Sequence, residues 1–404
     1  MLKVKTPQEV WELIGREFHF SVLQEDVLLS EVTGRVLAAD VLAEEYVPDF
    51  NRSTVDGYAV RAKDTFGCSD SMPAILTLTG QVNMGEGATL DVAGNTCAAV
   101  PTGGEVPAGA DAVVMIEYTE EYGDGTIGIL KSVAPGGNMI YRGDDVSPGK
   151  VIMKAGKILM PQDAAALAAM GITKVAVARR PRVGIISTGD ELIPVHEAPG
   201  PGQIRDVNST LLQAVLQEAG AEAVLYGIVK DQKDLLVNTV KQSLQECDTV
   251  LISGGSSVGA KDATCQVIEE QGQVLMHGIA MKPGKPTILG KAGEKPVVGL
   301  PGHPVAAFFV TYLFVLPLLD QLTGLKRHRF PVKAILEERV GANHGRAQYM
   351  GVFLRKDGNQ IFAKPVRSKS GLITSLTGAA GYFCIERDCE GMEAGTEIDV
   401  ILYG

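Results

Sequence analysis

The segment Thr249 to Asp262, TVLISGGSSVGAKD, sets the apolar run Val250, Leu251 and Ile252 before a loop of glycines and serines, and a helix-like stretch follows. That order reads as a buried strand, a small-residue loop and a helix start. Backbone N–H groups in such a loop, with the positive end of the helix dipole, can receive an anion such as phosphate. Ser253, Gly254, Gly255 and Ser256 are therefore candidate anion contacts, although a glycine loop can also serve only to turn the chain. The arrangement recurs in Arg182 to Leu192, RVGIISTGDEL, whose turn carries two carboxylates, and in Lys295 to Phe309, KPVVGLPGHPVAAFF. Ligands of open parallel sheets sit beyond the carboxyl ends of the strands, so the crevice shared by these loops is the expected active site.

Acids in such loops and turns are Asp56, Asp145, Glu191, Asp206, Asp231 and Asp262. Each alone fits a solvated group or a helix cap, and Asp262 suits an N-cap as well as a ligand. Together they would repel a phosphorylated substrate unless a divalent cation intervened, and Mg2+ takes carboxylate and substrate oxygens. A Mg2+-dependent site is the expectation. Lys282 and Lys285 flank the rigid Pro283–Gly284 turn and would supply the positive charge that an anion needs. His303 has no partner at metal-ligand spacing and reads as structural. Neither a GxSxG elbow nor a GxxxxGK[ST] loop occurs, which disfavours hydrolase and P-loop readings.

The elements that must hold these groups follow from periodicity. From Arg182 strands alternate with helices, with Asn208 as the expected cap and Gly220 as the stop of the first helix, which means a doubly wound parallel sheet. Before it, short β-rich runs between Ala74 and Ile140 indicate a small β domain, in which Val100 to Ala112 is a long Pro/Gly loop with Thr102 near its start. After Gly324 the chain returns to short β runs, a separate C-terminal β domain. A net charge of −11 leaves no basic surface to follow a nucleic-acid backbone. The apolar run Val305 to Leu319 is short of a membrane span and reads as a buried helix. No secretory signal is expected at the N-terminus, and six scattered cysteines without a CxxC pair fit reduced thiols, hence a cytoplasmic protein.

Taken in order, NRSTVDGYAV, PTGGEVPAGADAVVMIE, RGDDVSPG, STGDEL, SGGSSVGAKD, MKPGKP and GLPGHPVAAF resemble the molybdopterin molybdenumtransferase family, which includes bacterial MoeA and the gephyrin E domain. The resemblance runs over essentially the whole chain. It implies a multidomain α/β and β subunit: residues 1–46 and 145–178 an elongated helical/β dimerisation domain, 47–144 an inserted small β domain, 179–324 a molybdopterin-binding-like α/β domain, and 325–404 the C-terminal β domain. The activity it implies is insertion of molybdate into adenylylated molybdopterin, with Mg2+ and release of AMP, by a homodimer. The adenylylating molybdopterin-binding protein is a further implied partner.

Position by position, the resemblance assigns Asp56, Thr102 and Asp145 to the site from the N-terminal half, and Glu191, Asp231, Asp262 and Lys282 from the α/β domain, with Pro301 and Pro304 from its last loop. Glu191, Asp231 and Asp262 would hold Mg2+, Lys282 would bind the anionic molybdate or pterin phosphate, and Ser370 of RSKSG would join them. Because Asp56 and Asp145 lie far from the α/β domain in sequence, the second subunit would bring them to the cleft. Departures from the family pattern are Ile140 for an arginine, which Arg142 replaces nearby, Gly278 for a lysine, His303 for an asparagine and Ala380 for an asparagine. They leave open a relative specialised for tungstate, or a non-enzymatic dimeric platform of the gephyrin type.

Overall fold

The structure, a computed structural model, describes residues 4–254, 260–342, 344–367 and 369–403, and of residues 260–262 only the backbone. Helix α1, Pro7–Glu17, opens with a capping box: Thr6 Oγ1 accepts from the Glu9 N–H and the Thr6 N–H donates to the Glu9 carboxylate. Its apolar face, Val10, Leu13 and Ile14, is buried with Val183, Leu212, Leu300 and Phe309 in the core of the α/β domain. The expectation that residues 1–46 belong together in the N-terminal unit thus does not hold for this helix. An amphipathic stripe specifies that a face is buried but not against which partner.

After α1 the chain forms a narrow unit of two-stranded ribbons. Gln24–Leu28 pairs antiparallel with Lys174–Ala178, and Val41–Leu42 with Val151–Met153. Helix α2, Pro161–Ala169, seals their core through Leu167. The small β domain is a six-stranded sheet built around Gly57–Val60, Ala74–Gln81 and Thr96–Val100.

The α/β domain carries strands β1 (Arg182–Thr188), β2 (Glu222–Val229), β3 (Thr249–Gly254), β4 (Gln273–His277), β5 (Ile288–Ala292) and β6 (Lys295–Leu300), in the order β2-β1-β3-β6-β5-β4. The first four run parallel; β5 and β4 close the edge as an antiparallel meander. Helices α3 (Val207–Glu218) and α6 (Pro304–Val310) pack together on one face, and α4 (Lys233–Glu246) and α5 (Ala260–Gln271) on the other, as expected of a doubly wound sheet. Helix α3 is capped by Asp206, which accepts from the Ser209 N–H at 3.0 Å; Asn208, expected as the cap, lies inside the helix.

Helix α6 continues through a π turn, Thr311–Val315, into α7, Leu316–Thr323. The combined helix is long and apolar enough to cross a membrane, yet here it is the buried central rod of the core. Pro317 has no N–H to offer the Leu313 carbonyl, and Trp11 of α1 supplies the donor instead, Nε1 to oxygen 2.9 Å.

The C-terminal domain is a closed barrel. Ala347–Asp357 pairs with Gln360–Pro365, that strand with Val332–Leu336, and the ring continues through Glu397–Leu402 and Gly381–Ile385 back to Ala347–Asp357. A sixth strand, Met281–Lys282, comes from the α/β domain and pairs parallel with Ala347 and Gln348. The loop of the candidate lysines is thereby tied to the barrel by backbone hydrogen bonds.

Candidate active site

Three strand ends of the parallel sheet converge, as the loops implied. Beyond β1, Thr188 Oγ1 donates to Asp231 Oδ1 at 2.6 Å, and the Asp231 N–H donates to Asp190 Oδ1 at 3.3 Å. Glu191 folds back so that its carboxylate covers Gly189, where a Cβ would lie 2.7 Å from Oε2. At the end of β3, Gly254 has φ +156° and a Cβ there would meet the Thr188 carbonyl oxygen at 1.8 Å, so only glycine lets the two strand ends lie side by side. Asn208 Nδ2 donates to Ser253 Oγ at 2.8 Å and to the Gly302 carbonyl at 3.0 Å, linking the end of β3 to the loop after β6. Its Oδ1, sealed from solvent, has no donor among the described residues. Sequence reasoning missed this role because Asn208 sits two places after the true cap and reads as one.

The second part of the site is a cavity of about 750 Å³ between the α/β domain and the barrel. Lys282, Lys285, Pro301 and Ser370, all expected site residues, line it. Arg346, Arg367 and Lys369 of the barrel line it too, and were not foreseen. Among the described lining residues there is no carboxylate, so the wall is electropositive on a chain of net charge −11, although Arg367 is ion-paired with Glu338 at 3.0 Å. Their signal in the sequence, GRAQ and VRSKSG, is a pair of basic loops without neighbouring acids. His303, read as structural, lies on the cavity wall with its Nδ1 2.8 Å from Ser370 Oγ. The Val305 N–H donates to the Ser370 carbonyl, a second tie between the loop after β6 and the barrel. Burial pushes the Tyr349 phenol far above its ordinary range, so this wall residue stays a neutral hydroxyl. Pro304 is not among the lining residues; it begins α6.

In the N-terminal half, Asp56 Oδ1 accepts from the Thr102 N–H at 2.8 Å, which brings two expected residues together across the small β domain. Arg142 is engaged elsewhere: its guanidinium binds Asp49 at 2.9 Å and stacks on Tyr46. Asp145 is held by its backbone, N–H to the Val47 carbonyl. No hydrogen bond or ion pair between described residues joins Asp56, Thr102 or Asp145 to the acids of the α/β domain.

Gly255 and Ser256 lie outside the described residues, as does the side chain of Asp262, whose backbone falls in the first turn of α5. Asp206 is a helix cap. It also accepts from Ser209 Oγ, and so is already engaged by α3. No group of three or more metal-ligating side chains occurs among the described residues.

Comparison with known proteins covers the chain from end to end. Residues 6–171 match the MoeA N-terminal region (domain I and II), 184–321 a domain described as a probable molybdopterin binding domain, and 333–403 the MoeA C-terminal region (domain IV). The molybdopterin molybdenumtransferase of Bacillus subtilis is 32% identical over 410 residues, covering 100% of this chain and 95% of the relative. That of Haemophilus influenzae is 31% identical over 385 residues, 94% of each chain. A solved structure of the molybdopterin biosynthesis MoeA protein from Pyrococcus horikoshii superposes with a TM-score of 0.88 at 35% identity, over 99% of this chain and 100% of that one.

Proposed function

The chain belongs to the MoeA family of molybdopterin molybdenumtransferases, transferases of molybdenum cofactor biosynthesis, and on that premise we propose that it inserts molybdate into adenylylated molybdopterin with release of AMP. The observation that carries this reading is the carboxylate-free cationic cavity, part of whose wall is Pro301, Gly302 and His303 of the loop that follows strand β6 of the parallel sheet. The cavity takes the doubly charged oxyanion and the pterin phosphate through Lys282, Lys285, Arg346, Arg367 and Lys369. The loops after β1 and β3 receive the nucleotide end of the substrate, with Ser253 and Gly254 presenting small side chains and backbone to it.

Mg2+ fits the donor set. Glu191 and Asp231 offer hard carboxylate oxygens, and a Mg2+ ion takes one or two carboxylates and completes its shell with substrate oxygens and water. Asp262 belongs to the same proposed set. When bound, the ion would neutralise the phosphate charge that these acids otherwise repel. The protein's own contribution is placement. Thr188 fixes the rotamer of Asp231, and Asn208 fixes the end of β3 against the loop after β6.

Asp56, Thr102 and Asp145 are proposed to complete the cleft from the second subunit of a homodimer, which accords with their separation from the acids of the α/β domain. The adenylylating molybdopterin-binding protein would deliver the substrate. Cytoplasmic residence is proposed on the six cysteines, none of which is paired in a disulfide.

The test is a single-turnover assay with adenylylated molybdopterin, Mg2+ and molybdate, tungstate or no oxyanion, following AMP release and reconstitution of an apo-molybdoenzyme. Molybdate-dependent AMP release, abolished by both Asp262→Ala and Asp56→Ala, is the expected result. Release with tungstate alone would reassign the oxyanion. Absence of release with the nucleotide still bound would overturn the enzymatic reading and leave a binding platform.

A further inference from the structure

Among the described residues of the cavity wall stands an imidazole, His303, whose hydrogen-bonding sense is set by its surroundings. Lys and Arg only donate, whereas a neutral imidazole offers one donor and one acceptor nitrogen, and its surroundings decide which is which. Here His303 Nδ1 lies 2.8 Å from Ser370 Oγ, and the Ser370 backbone is pinned in turn by the Val305 N–H. When the Ser370 hydroxyl donates to Nδ1, the proton of the neutral ring sits on Nε2, and the face left for a ligand is a donor. Gln348, another wall residue, has a carbonyl oxygen, but that atom is closed off from solvent.

We propose that Ser370 locks His303 in the Nε2–H tautomer, and that the cavity thereby selects tetrahedral oxyanions without a proton, such as molybdate, tungstate or sulfate, over hydrogen phosphate. The proposal rests on the reading of this cavity as the oxyanion site and names what sets its selectivity. A fully deprotonated oxyanion presents acceptors in every direction, which matches Lys282, Lys285, Arg346, Arg367, Lys369 and a donating imidazole. Hydrogen phosphate keeps an O–H near neutrality. With no carboxylate among the described wall residues and the imidazole acceptor already taken by Ser370, that proton finds only hydroxyl acceptors such as Ser375, weaker partners than a carboxylate or an imidazole nitrogen. A polar group buried without its partner costs about 1–3 kcal/mol, on the order of tenfold or more in affinity. Removing the Ser370 hydroxyl would let the ring turn over its tautomer, accept from the phosphate O–H and lose the discrimination.

Calorimetric titration of the full chain with molybdate, tungstate, sulfate and inorganic phosphate tests this, alongside Ser370→Ala. The intact protein is expected to bind molybdate at least about tenfold more tightly than phosphate, and Ser370→Ala to close that gap to within about threefold. In the same intact protein, 15N spectra of labelled histidine, assigned by the resonance lost in His303→Asn, are expected to show a protonated Nε2 and an unprotonated Nδ1. Phosphate bound as tightly as molybdate, a gap unchanged in Ser370→Ala, or a protonated Nδ1 would each overturn the proposal while leaving the oxyanion site in place. No binding of any oxyanion by the intact protein would overturn the site itself, and the selectivity with it. The nitrogen spectra need no variant beyond the assignment, so they decide the tautomer even if Ser370→Ala fails to fold.

Discussion

Asp231 is held by one side-chain hydroxyl, Thr188 Oγ1 at 2.6 Å, a partner that does not require its charge. Asp231→Asn keeps an acceptor oxygen for that bond and removes only the negative charge. The expected result is AMP release slowed by about a hundredfold, the scale of a lost electrostatic contact at a reacting centre, at an unchanged melting temperature. Gly254→Ala should do the opposite. Its new Cβ would collide with a backbone carbonyl that has no room to retreat, so the variant should lose at least about 2 kcal/mol in denaturant titration. At this scale the sequence was informative where chemistry is local: Asp56 and Thr102 do meet, and Lys282, Lys285, Pro301 and Ser370 do share one wall. It was silent on Arg346, Arg367 and Lys369, because a basic residue in a loop shows its sign but not which way the closed barrel will aim it. The place of His303 on the wall was hidden for a related reason, since its partner Ser370 is supplied from another domain.

The element that decides the architecture is the long central helix, and its weakest point is chemically defined. Pro317 deprives the Leu313 carbonyl of a helical donor, and Trp11 from the first helix of the chain fills the gap. Trp11→Phe keeps the ring and its packing beside Phe314 but removes the indole N–H. A loss of about 1–2 kcal/mol in urea unfolding is expected. Trp11 is also the single tryptophan, so in the intact protein its fluorescence reports whether α1 has left the helix. The alternation of strands and helices after Arg182 was legible, because each period is a local property of the chain. Where α1 would pack was not. The stripe Val10, Leu13 and Ile14 would have suited either neighbouring core, and only tertiary contact chose the α/β domain.

Across the whole molecule, the α/β domain and the barrel meet through a cluster of aromatic rings in which Tyr312, Tyr349, Tyr382 and Tyr403 pack on one another and on Phe308 and Phe309. Burial pushes the Tyr312 phenol and the nearby Cys384 thiol each up to about 12, and raises the other three tyrosines as well. Burial also pushes the Cys97 thiol of the small β domain up to about 12. In the unfolded chain these groups ionise at about 8.5 for thiols and about 10 for phenols. The folded state holds them neutral, so their contribution is complete below about pH 8.5 and is lost progressively as pH rises toward about 12. Melting temperature should therefore decline through that alkaline window, and the tyrosinate absorbance that belongs to these four buried rings should appear with unfolding rather than before it. Closure of the barrel could not have been anticipated from its separate runs, since the pairing of Ala347–Asp357 with Gly381–Ile385 spans a long stretch of chain. The short strand Met281–Lys282, which hydrogen-bonds to the barrel, has a practical consequence for anyone dissecting the chain. A cut after Gly324 falls at an obvious domain boundary, but the fragment before it would leave that strand's lysine turn without its ladder partner and bare the apolar side of the central helix. Such a fragment should sediment as aggregates where the full chain does not. The segment that carries the lysines is in effect shared property, and a clean cut would have to keep the barrel with it.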